Sequence, residues 1–181
     1  KTVYLAADTT LFLWFEQLPH PAWLTSIMSV ITLAGTAGVI WLVLAVGITV
    51  RQRNFSGLWR TALAVLVTFS LVHLVLKPTI SRSRPYLDHQ TTVDIQELRP
   101  STSSFPSGHA ATSAAGAYAL ASLVPAASGL FWCLAITIGI SRLYLGLHYP
   151  FDIVVGWLLG LLCGFFATGR VIYRRQLTLK M

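Results

Sequence analysis

An uncharged stretch of 28 residues, from Trp23 to Val50, is the feature that most restricts the fold of this chain. A helix that crosses the hydrocarbon core of a bilayer needs about 20 mostly apolar residues. Four further apolar runs follow, at Thr61–Leu76, Ala110–Ala127, Leu130–Ser141 and Ile153–Gly169. Only 10% of the residues are charged, which leaves too little polar surface for a soluble bundle. The sequence therefore predicts an all-α integral membrane protein with five transmembrane helices, forming a single domain over residues 1–181.

Residues 1–20 differ in character from the five runs. Trp14 and two phenylalanines stand beside Glu16 there, and Pro19 and Pro21 close the segment. The segment is too short and too polar to span a bilayer, so it predicts a helix that lies in the membrane interface. Position 1 is a lysine rather than a methionine, and we therefore expect the natural start to lie upstream.

The charged residues are divided between the two sides of the membrane. Arginine and lysine occur without any acid between the first two runs and at the end of the chain, at Arg51, Arg53, Arg60, Arg170, Arg174, Arg175 and Lys180. All six acids and all five histidines fall on the other side. The positive-inside rule puts the arginine-rich side and the C-terminus in the cytoplasm, as expected for a bacterial inner membrane. The net charge of +7 follows from this topology, and no nucleic-acid partner is expected.

Three polar segments meet at the opposite, extracytoplasmic face in this topology. The second run ends in KPTISRSRP (77–85), the third begins with PSGH (106–109), and the turn before the fifth reads SRLYLGLHYPFD (141–152). Charged residues at membrane depth are costly and usually functional, so we expect the three segments to form one site. The loop over residues 78–105 would form the rim for the substrate. Its titratable residues include Asp88, His89, Asp94 and Glu97.

Three cations and a helix start in these segments predict an anion site. Lys77, Arg84 and Arg142 would repel one another near lipid unless a bound anion neutralised them. Phosphate suits this role because it accepts several charge-assisted hydrogen bonds and arginine matches it with a planar fork. A helix start adds backbone N–H donors that lack partners within the helix. Here these donors would be the amides of Ser107, Gly108 and His109.

Two histidines and one acid supply the chemistry. His148 and Asp152 are four residues apart, so one helical turn brings the carboxylate to the imidazole. Asp152 would keep one ring nitrogen protonated and leave the other free as a nucleophile. His109 would protonate the departing alkoxide. The sequence lacks the clustered carboxylates of magnesium-dependent phosphatases, so we expect a reaction without a metal or other cofactor.

These segments also resemble a known signature. They are similar in order and spacing to the three-part motif of the type 2 phosphatidic acid phosphatase (PAP2) superfamily: Lys77-x6-Arg84-Pro85, Pro106-Ser107-Gly108-His109 and Ser141-Arg142-x5-His148-x3-Asp152. The resemblance implies the helical bundle of acid phosphatases and vanadium haloperoxidases, and a sixth span would precede the other five if the N-terminus has been trimmed. It implies His148 as nucleophile, Asp152 as its partner and His109 as general acid. The implied phosphate ligands are Lys77, Arg84, Ser107, Gly108 and Arg142.

The functional hypothesis is an integral membrane lipid phosphatase that acts at the extracytoplasmic face through a phosphohistidine. Its partners would be the bilayer and a lipid phosphate or diphosphate, such as undecaprenyl diphosphate, phosphatidylglycerophosphate or phosphatidic acid. One alternative is a lipid phosphotransferase with the same site. Another is a catalytically silent lipid-binding or transport protein, although the presence of both histidines and the aspartate favours catalysis.

Several other residues receive structural interpretations. The small residues that follow PSGH, over 110–119, predict a third helix at the centre of the bundle, where its neighbours can approach closely. A second set of small residues recurs every four positions, at Gly156, Gly160 and Gly164. We expect this stripe to pack inside the protomer, with a homodimer face as the alternative. His73 is interpreted as a hydrogen-bonded core residue, with a place in the site as the alternative, and Arg82 is interpreted as a solvated or headgroup-contacting residue.

Overall fold

The computed structural model describes residues 6–53, 55–93 and 98–178, with backbone alone from residue 169 onward. These residues form helices and connecting loops without a strand, which confirms the all-α class. The helices are α1 (Ala6–Glu16), α2 (Ala22–Ala34), α3 (Val39–Gln52), α4 (Ser56–Ser70), α5 (Lys77–Thr79), α6 (Pro85–Asp88), α7 (Gly108–Leu123), α8 (Ser128–Tyr144) and α9 (Pro150–Thr178). The rim acids Asp94 and Glu97, Lys180, and the side chains of Arg170, Arg174 and Arg175 lie outside the described part of the chain.

The number of candidate spans is smaller than the sequence predicts. Three continuous helical segments are long and apolar enough to cross a bilayer, at Ser56–Thr79, Pro125–Tyr144 and Pro150–Thr168. Helices α2 and α3 pass this test only as a pair, bent by 47°. The described residues therefore offer three such spans, or four if the bent pair is one span, and not five.

The predicted first span is broken at its middle. Between α2 and α3 the chain passes through Gly35 and a short 3-10 turn, Thr36–Gly38, in which Ala37 and Gly38 have φ values of 50° and 74°. Glycine adopts a positive φ without steric cost, so the sequence permits the break at Gly38. A count of apolar residues does not detect this break, because every residue around it is uncharged.

Helix α7 ends earlier than the predicted third span, Ala110–Ala127. It stops at Leu123 because Pro125 follows, and the residue before a proline is pushed out of the helical region. Eleven of its 16 residues are buried, and it packs against α9, α8 and α4. Its alanines allow this close approach, which confirms the central position predicted for this helix.

The glycine stripe of α9 packs inside the protomer and not on its surface. Gly156, Gly160 and Gly164 are all buried against α7. A Cβ atom added at Gly156 would lie 2.6 Å from the backbone oxygen of Ser107, so only glycine permits this approach. The stripe therefore does not present a homodimer face, and that alternative is wrong for these three residues.

Helix α1 lies on the end of the bundle that carries the three polar segments. Phe12 is fully buried and packs edge-on against Tyr149, with ring centroids 5.4 Å apart. Leu11, Leu13 and Trp14 are exposed on the same helix. That apolar surface is compatible with a position in the membrane interface, which remains a prediction.

Candidate active site

The three polar segments converge on His148, which lies in the turn between α8 and α9 and is only 1% exposed. Burial lowers the pKa of His148 well below its usual value, and the nearby charges of Arg84, Arg142 and Lys77 lower it further. All three cations named from the sequence therefore act on one imidazole. At neutral pH this ring is uncharged, as a nucleophile must be.

Arg84 connects the rim loop to His148. Its Nε donates to the backbone oxygen of Thr102 at 2.7 Å, and its Nη1 donates to that of Leu147 at 2.9 Å. Nη1 also lies 3.3 Å from Nε2 of His148. Lys77 approaches the same loop, because its Nζ donates to Oγ1 of Thr102 at 3.1 Å. No pattern in the sequence indicates that Thr102 accepts hydrogen bonds from both cations.

Arg142 is held by a residue of α2. Its Nη1 donates to Oγ1 of Thr32 at 3.0 Å, and the same oxygen accepts from Oγ of Ser141 at 3.1 Å. The Nε atom of Arg142 is buried and has no hydrogen-bond partner among the described residues. Buried donors are nearly always paired in proteins. An unpaired guanidinium donor beside two other cations is therefore a feature of an anion-binding site.

The start of α7 departs in one respect from the predicted cradle. Ser107 caps the helix, and its Oγ accepts from the amide of Ala110 at 3.4 Å. Its own amide donates to the backbone oxygen of Asp152 at 3.0 Å and so is not free for an anion. This bond instead fixes the start of α7 against the start of α9. The amides of Gly108 and His109 remain the candidate donors of the cradle.

Asp152 faces His148 as predicted, at a longer distance than a good hydrogen bond. Its Oδ2 lies 3.4 Å from Nδ1 of His148, whereas N–H···O bonds usually span 2.7–3.2 Å. The same oxygen accepts from Oγ of Ser104 at 2.5 Å and from the amide of Tyr149 at 3.0 Å. Since Arg84 can only donate, the neighbours of the ring favour a proton on Nδ1 and a lone pair on Nε2.

His109 lies in the first turn of α7. Its Nε2 is buried and has no hydrogen-bond partner within the described ranges. The break between α2 and α3 packs beside it, because a Cβ atom added at Gly35 would lie 3.4 Å from Cδ2 of His109. An unpaired ring nitrogen at the helix start that forms the cradle is well placed to exchange a proton with a bound ester.

Arg82 departs from its sequence interpretation, whereas His73 keeps it and makes one further contact. Arg82 is only 5% exposed, so its assignment to solvent or lipid headgroups is wrong. Its guanidinium bonds to both Asp152 and Asp8, and no pattern in the sequence signals that pairing. The ring of His73 is hydrogen-bonded as predicted, with Nδ1 3.0 Å from the backbone oxygen of Phe69. It also touches the cradle, since a Cβ atom added at Gly108 would lie 2.7 Å from its Cε1.

The described residues contain no group of three or more histidine, cysteine, aspartate or glutamate side chains that could hold a metal ion. The residues gathered at the site are two imidazoles, a carboxylate and several cations. Such a set can bind a phosphoryl group, attack it and exchange protons with it.

Comparison with known proteins relates this arrangement to a family. The family model of the PAP2 superfamily matches residues 57–176. Phosphatidylglycerophosphatase B of Bacillus subtilis is 32% identical over 162 residues, which cover 81% of this chain and 75% of the relative. Lipid A 4'-phosphatase of Bacteroides thetaiotaomicron is 33% identical over 168 residues, which cover 84% of this chain and 72% of the relative. The crystal structure of a transmembrane PAP2 type phosphatidylglycerolphosphate phosphatase from Bacillus subtilis has a TM-score of 0.68 and 30% identity, covering 91% of this chain and 84% of that one.

Proposed function

The chain belongs to the PAP2 superfamily, and from that premise we propose that it hydrolyses a lipid phosphate monoester or diphosphate through a covalent phosphohistidine at His148. The observation that carries this proposal is the environment of that ring. His148 is buried, uncharged at neutral pH and surrounded by three cations, with Nε2 on the side of Arg84. Nucleophile and phosphate-binding groups therefore share one small volume.

The charge balance of the site supports a phosphate substrate. Four buried cations, Lys77, Arg82, Arg84 and Arg142, face two buried carboxylates, Asp8 and Asp152. Two positive charges are left without a buried acidic partner in the described part of the chain. A phosphate monoester carries up to two negative charges, so its binding would neutralise the site.

The first step transfers the phosphoryl group to the protein. The lone pair on Nε2 of His148 attacks phosphorus, and a phosphorus–nitrogen bond forms while the bond to the leaving oxygen breaks. His109 gives its proton to that oxygen, which leaves as the lipid alcohol, or as a lipid phosphate if the substrate is a diphosphate. Asp152 stabilises the charge that develops on the ring, and Lys77, Arg84 and Arg142 stabilise the phosphoryl oxygens.

The second step releases phosphate and restores the enzyme. His109, now neutral, takes a proton from a water molecule as that water attacks phosphorus. The phosphorus–nitrogen bond breaks, and His148 recovers its lone pair. No metal takes part in either step of this mechanism.

We place the reaction at the extracytoplasmic face of the membrane. The positive-inside rule supports this orientation, because the exposed Arg51 and Arg53 lie at the end of α3. Relatives named as phosphatases of phosphatidylglycerophosphate and lipid A support a lipid headgroup as the substrate. Undecaprenyl diphosphate and phosphatidic acid offer the same phosphate chemistry and belong in the same test.

The test is phosphate release by purified protein in detergent. The panel comprises phosphatidylglycerophosphate, undecaprenyl diphosphate, phosphatidic acid and the soluble ester glucose-6-phosphate. His148→Ala is compared with His20→Ala, a histidine outside the proposed machinery. We expect a lipid substrate to be hydrolysed by the wild type and by His20→Ala, but not by His148→Ala. Full activity of His148→Ala would contradict the proposal.

A further inference from the structure

We propose that Asp8 of helix α1 contributes to catalysis by positioning. Asp8 holds Arg82, and Arg82 holds Asp152 in the orientation that His148 requires. Asp8 and Arg82 are thus positioning residues and touch no reacting atom. The inference rests on the proposed function, since it assigns a role only if His148 is the nucleophile. Helix α1 precedes residues 57–176, so the family match does not include Asp8.

Both carboxylate oxygens of Asp8 accept hydrogen bonds from residues at the site. Oδ2 accepts from Nη2 of Arg82 at 2.6 Å, and Oδ1 accepts from the amide of Phe151 at 2.8 Å. The side chain is 5% exposed, so the carboxylate has left water to make these bonds. Burying a charge is costly unless it is paired and hydrogen-bonded, as this one is. A helix that only covered the surface would not need a buried acid at this point.

Arg82 is shared between two acids. Its Nη1 donates to Oδ1 of Asp152 at 2.5 Å, while its Nη2 bonds to Asp8. The guanidinium carbon lies 4.2 Å above the ring of Tyr149, which follows the nucleophile in sequence. The backbone of Arg82 is fixed as well, because its oxygen accepts from the amide of Ser104 at 2.9 Å. The arginine therefore has one defined position between α1 and α9.

The two carboxylate oxygens of Asp152 bind different partners. Oδ2 faces Nδ1 of His148 and the hydroxyl of Ser104, whereas Oδ1 faces only Arg82 among the hydrogen bonds described. Arg82 thus fixes the rotation of the carboxylate about its bond to the helix. Without it, only the hydroxyl of Ser104 and the amide of Tyr149 would hold the carboxylate, both through Oδ2, and the carboxylate would be less firmly oriented towards His148.

Asp8 also sets how strongly Arg82 attracts Asp152. A guanidinium paired with a single carboxylate would attract that carboxylate with its whole positive charge. Here Arg82 also pairs with Asp8, so its attraction for Asp152 is weaker. Asp152 can then still stabilise the positive charge that develops on His148 during attack. Removal of the charge at residue 8 is therefore expected to slow the chemical step and to leave substrate binding nearly unchanged.

The test is Asp8→Asn, which keeps the size of the side chain and removes its charge. Its matched control is Thr10→Ala, an exposed position on the same helix. Turnover of the best substrate of the panel above and the single-turnover rate of phosphohistidine formation are both measured. We expect kcat and that rate to fall together by about 10- to 100-fold, a typical cost of losing an outer residue that orients a catalytic group. KM is expected to stay within about twofold, since the phosphate ligands are untouched.

A double-mutant cycle separates positioning from a loss of stability. Arg82→Lys keeps the charge and loses the fork that spans both acids, so adding Asp8→Asn to it should cost far less than in the wild type. Unchanged kcat in Asp8→Asn, or additive effects of the two substitutions, would overturn the inference while His148 remained the nucleophile. Failure of the wild type to hydrolyse any panel member, or to form phosphohistidine at His148, would overturn the proposed function and this inference with it.

Discussion

Replacement of Arg84 by lysine keeps the positive charge at this position and removes the planar set of hydrogen-bond donors. Arg84 is 2% exposed and spreads its donors over Nε, Nη1 and Nη2. These atoms serve the backbone oxygens of Thr102, Leu147 and Ser103, which come from two separate segments. A lysine carries its three donors on a single nitrogen and cannot reproduce this spread.

The expected size of the effect follows from those bonds. We expect the backbone oxygen of Leu147, which lies in a buried hydrogen bond, to lose its donor at a cost of about 1–3 kcal/mol in the free energy of unfolding, whereas the part-buried oxygens of Thr102 and Ser103 can bond to water and cost less. The contact of Nη1 with Nε2 of His148, at 3.3 Å, is lost as well. Loss of one preorganised donor at a reacting centre usually costs about 100-fold or more in turnover.

The assay measures kcat/KM and the thermal unfolding midpoint of Arg84→Lys in detergent. Arg51→Lys, at an exposed arginine of α3, is the matched control and should behave as the wild type. We expect the midpoint and kcat/KM to fall in Arg84→Lys alone. Wild-type values of both quantities in Arg84→Lys would contradict this prediction, because charge without the planar fork would then suffice.

Three further predictions concern pH, metals and packing. Because burial and the three cations lower the pKa of His148, its neutral form persists as the pH falls through 6.5, the usual value; burial also lowers the pKa of His109, so phosphohistidine formation, which needs His109 protonated, should rise as the pH falls through 6.5, and a decline with a midpoint at or above 6.5 would contradict this. Activity should survive EDTA and be inhibited by vanadate, which adopts the five-coordinate geometry of the transferring group; a loss restored by Mg²⁺ would exclude the metal-free mechanism. Gly160→Ala places a methyl group against the backbone oxygen of Ala111 and should destabilise the bundle by about 1–3 kcal/mol, whereas Gly129→Ala, at a helical position with no neighbour within 4 Å, should not lower the unfolding midpoint.

The sequence predicts the class of the fold and the convergence of the site, because both depend on properties that are local. Uncharged runs identify membrane helices, and the alternation of their ends brings 77–85, 106–109 and 141–152 to one side. The sequence does not predict the break at Gly38 or the early end of α7. These depend on backbone angles and on neighbours that a hydropathy pattern does not contain.

The same limit applies to the site. Lys77, Arg84, Arg142 and His148 could be named because each is a rare polar residue at the end of an apolar run. Asp8 lies 74 residues before Arg82 in the chain, and no spacing rule relates a residue of an interfacial helix to one of a rim loop. The use of the Ser107 amide by the backbone of Asp152 is equally a product of tertiary packing.

The central claim is that His148 carries the phosphoryl group, and trapping that intermediate tests it most directly. Purified protein is mixed with substrate, quenched within one turnover in alkali, where phosphohistidine is stable, and the modified residue is located by mass spectrometry. We expect a phosphate on His148 that is labile in acid, forms no later than the first released alcohol and is absent from His148→Ala. Hydrolysis at full rate without any phosphorylated protein, or with the phosphate on another residue, would contradict it.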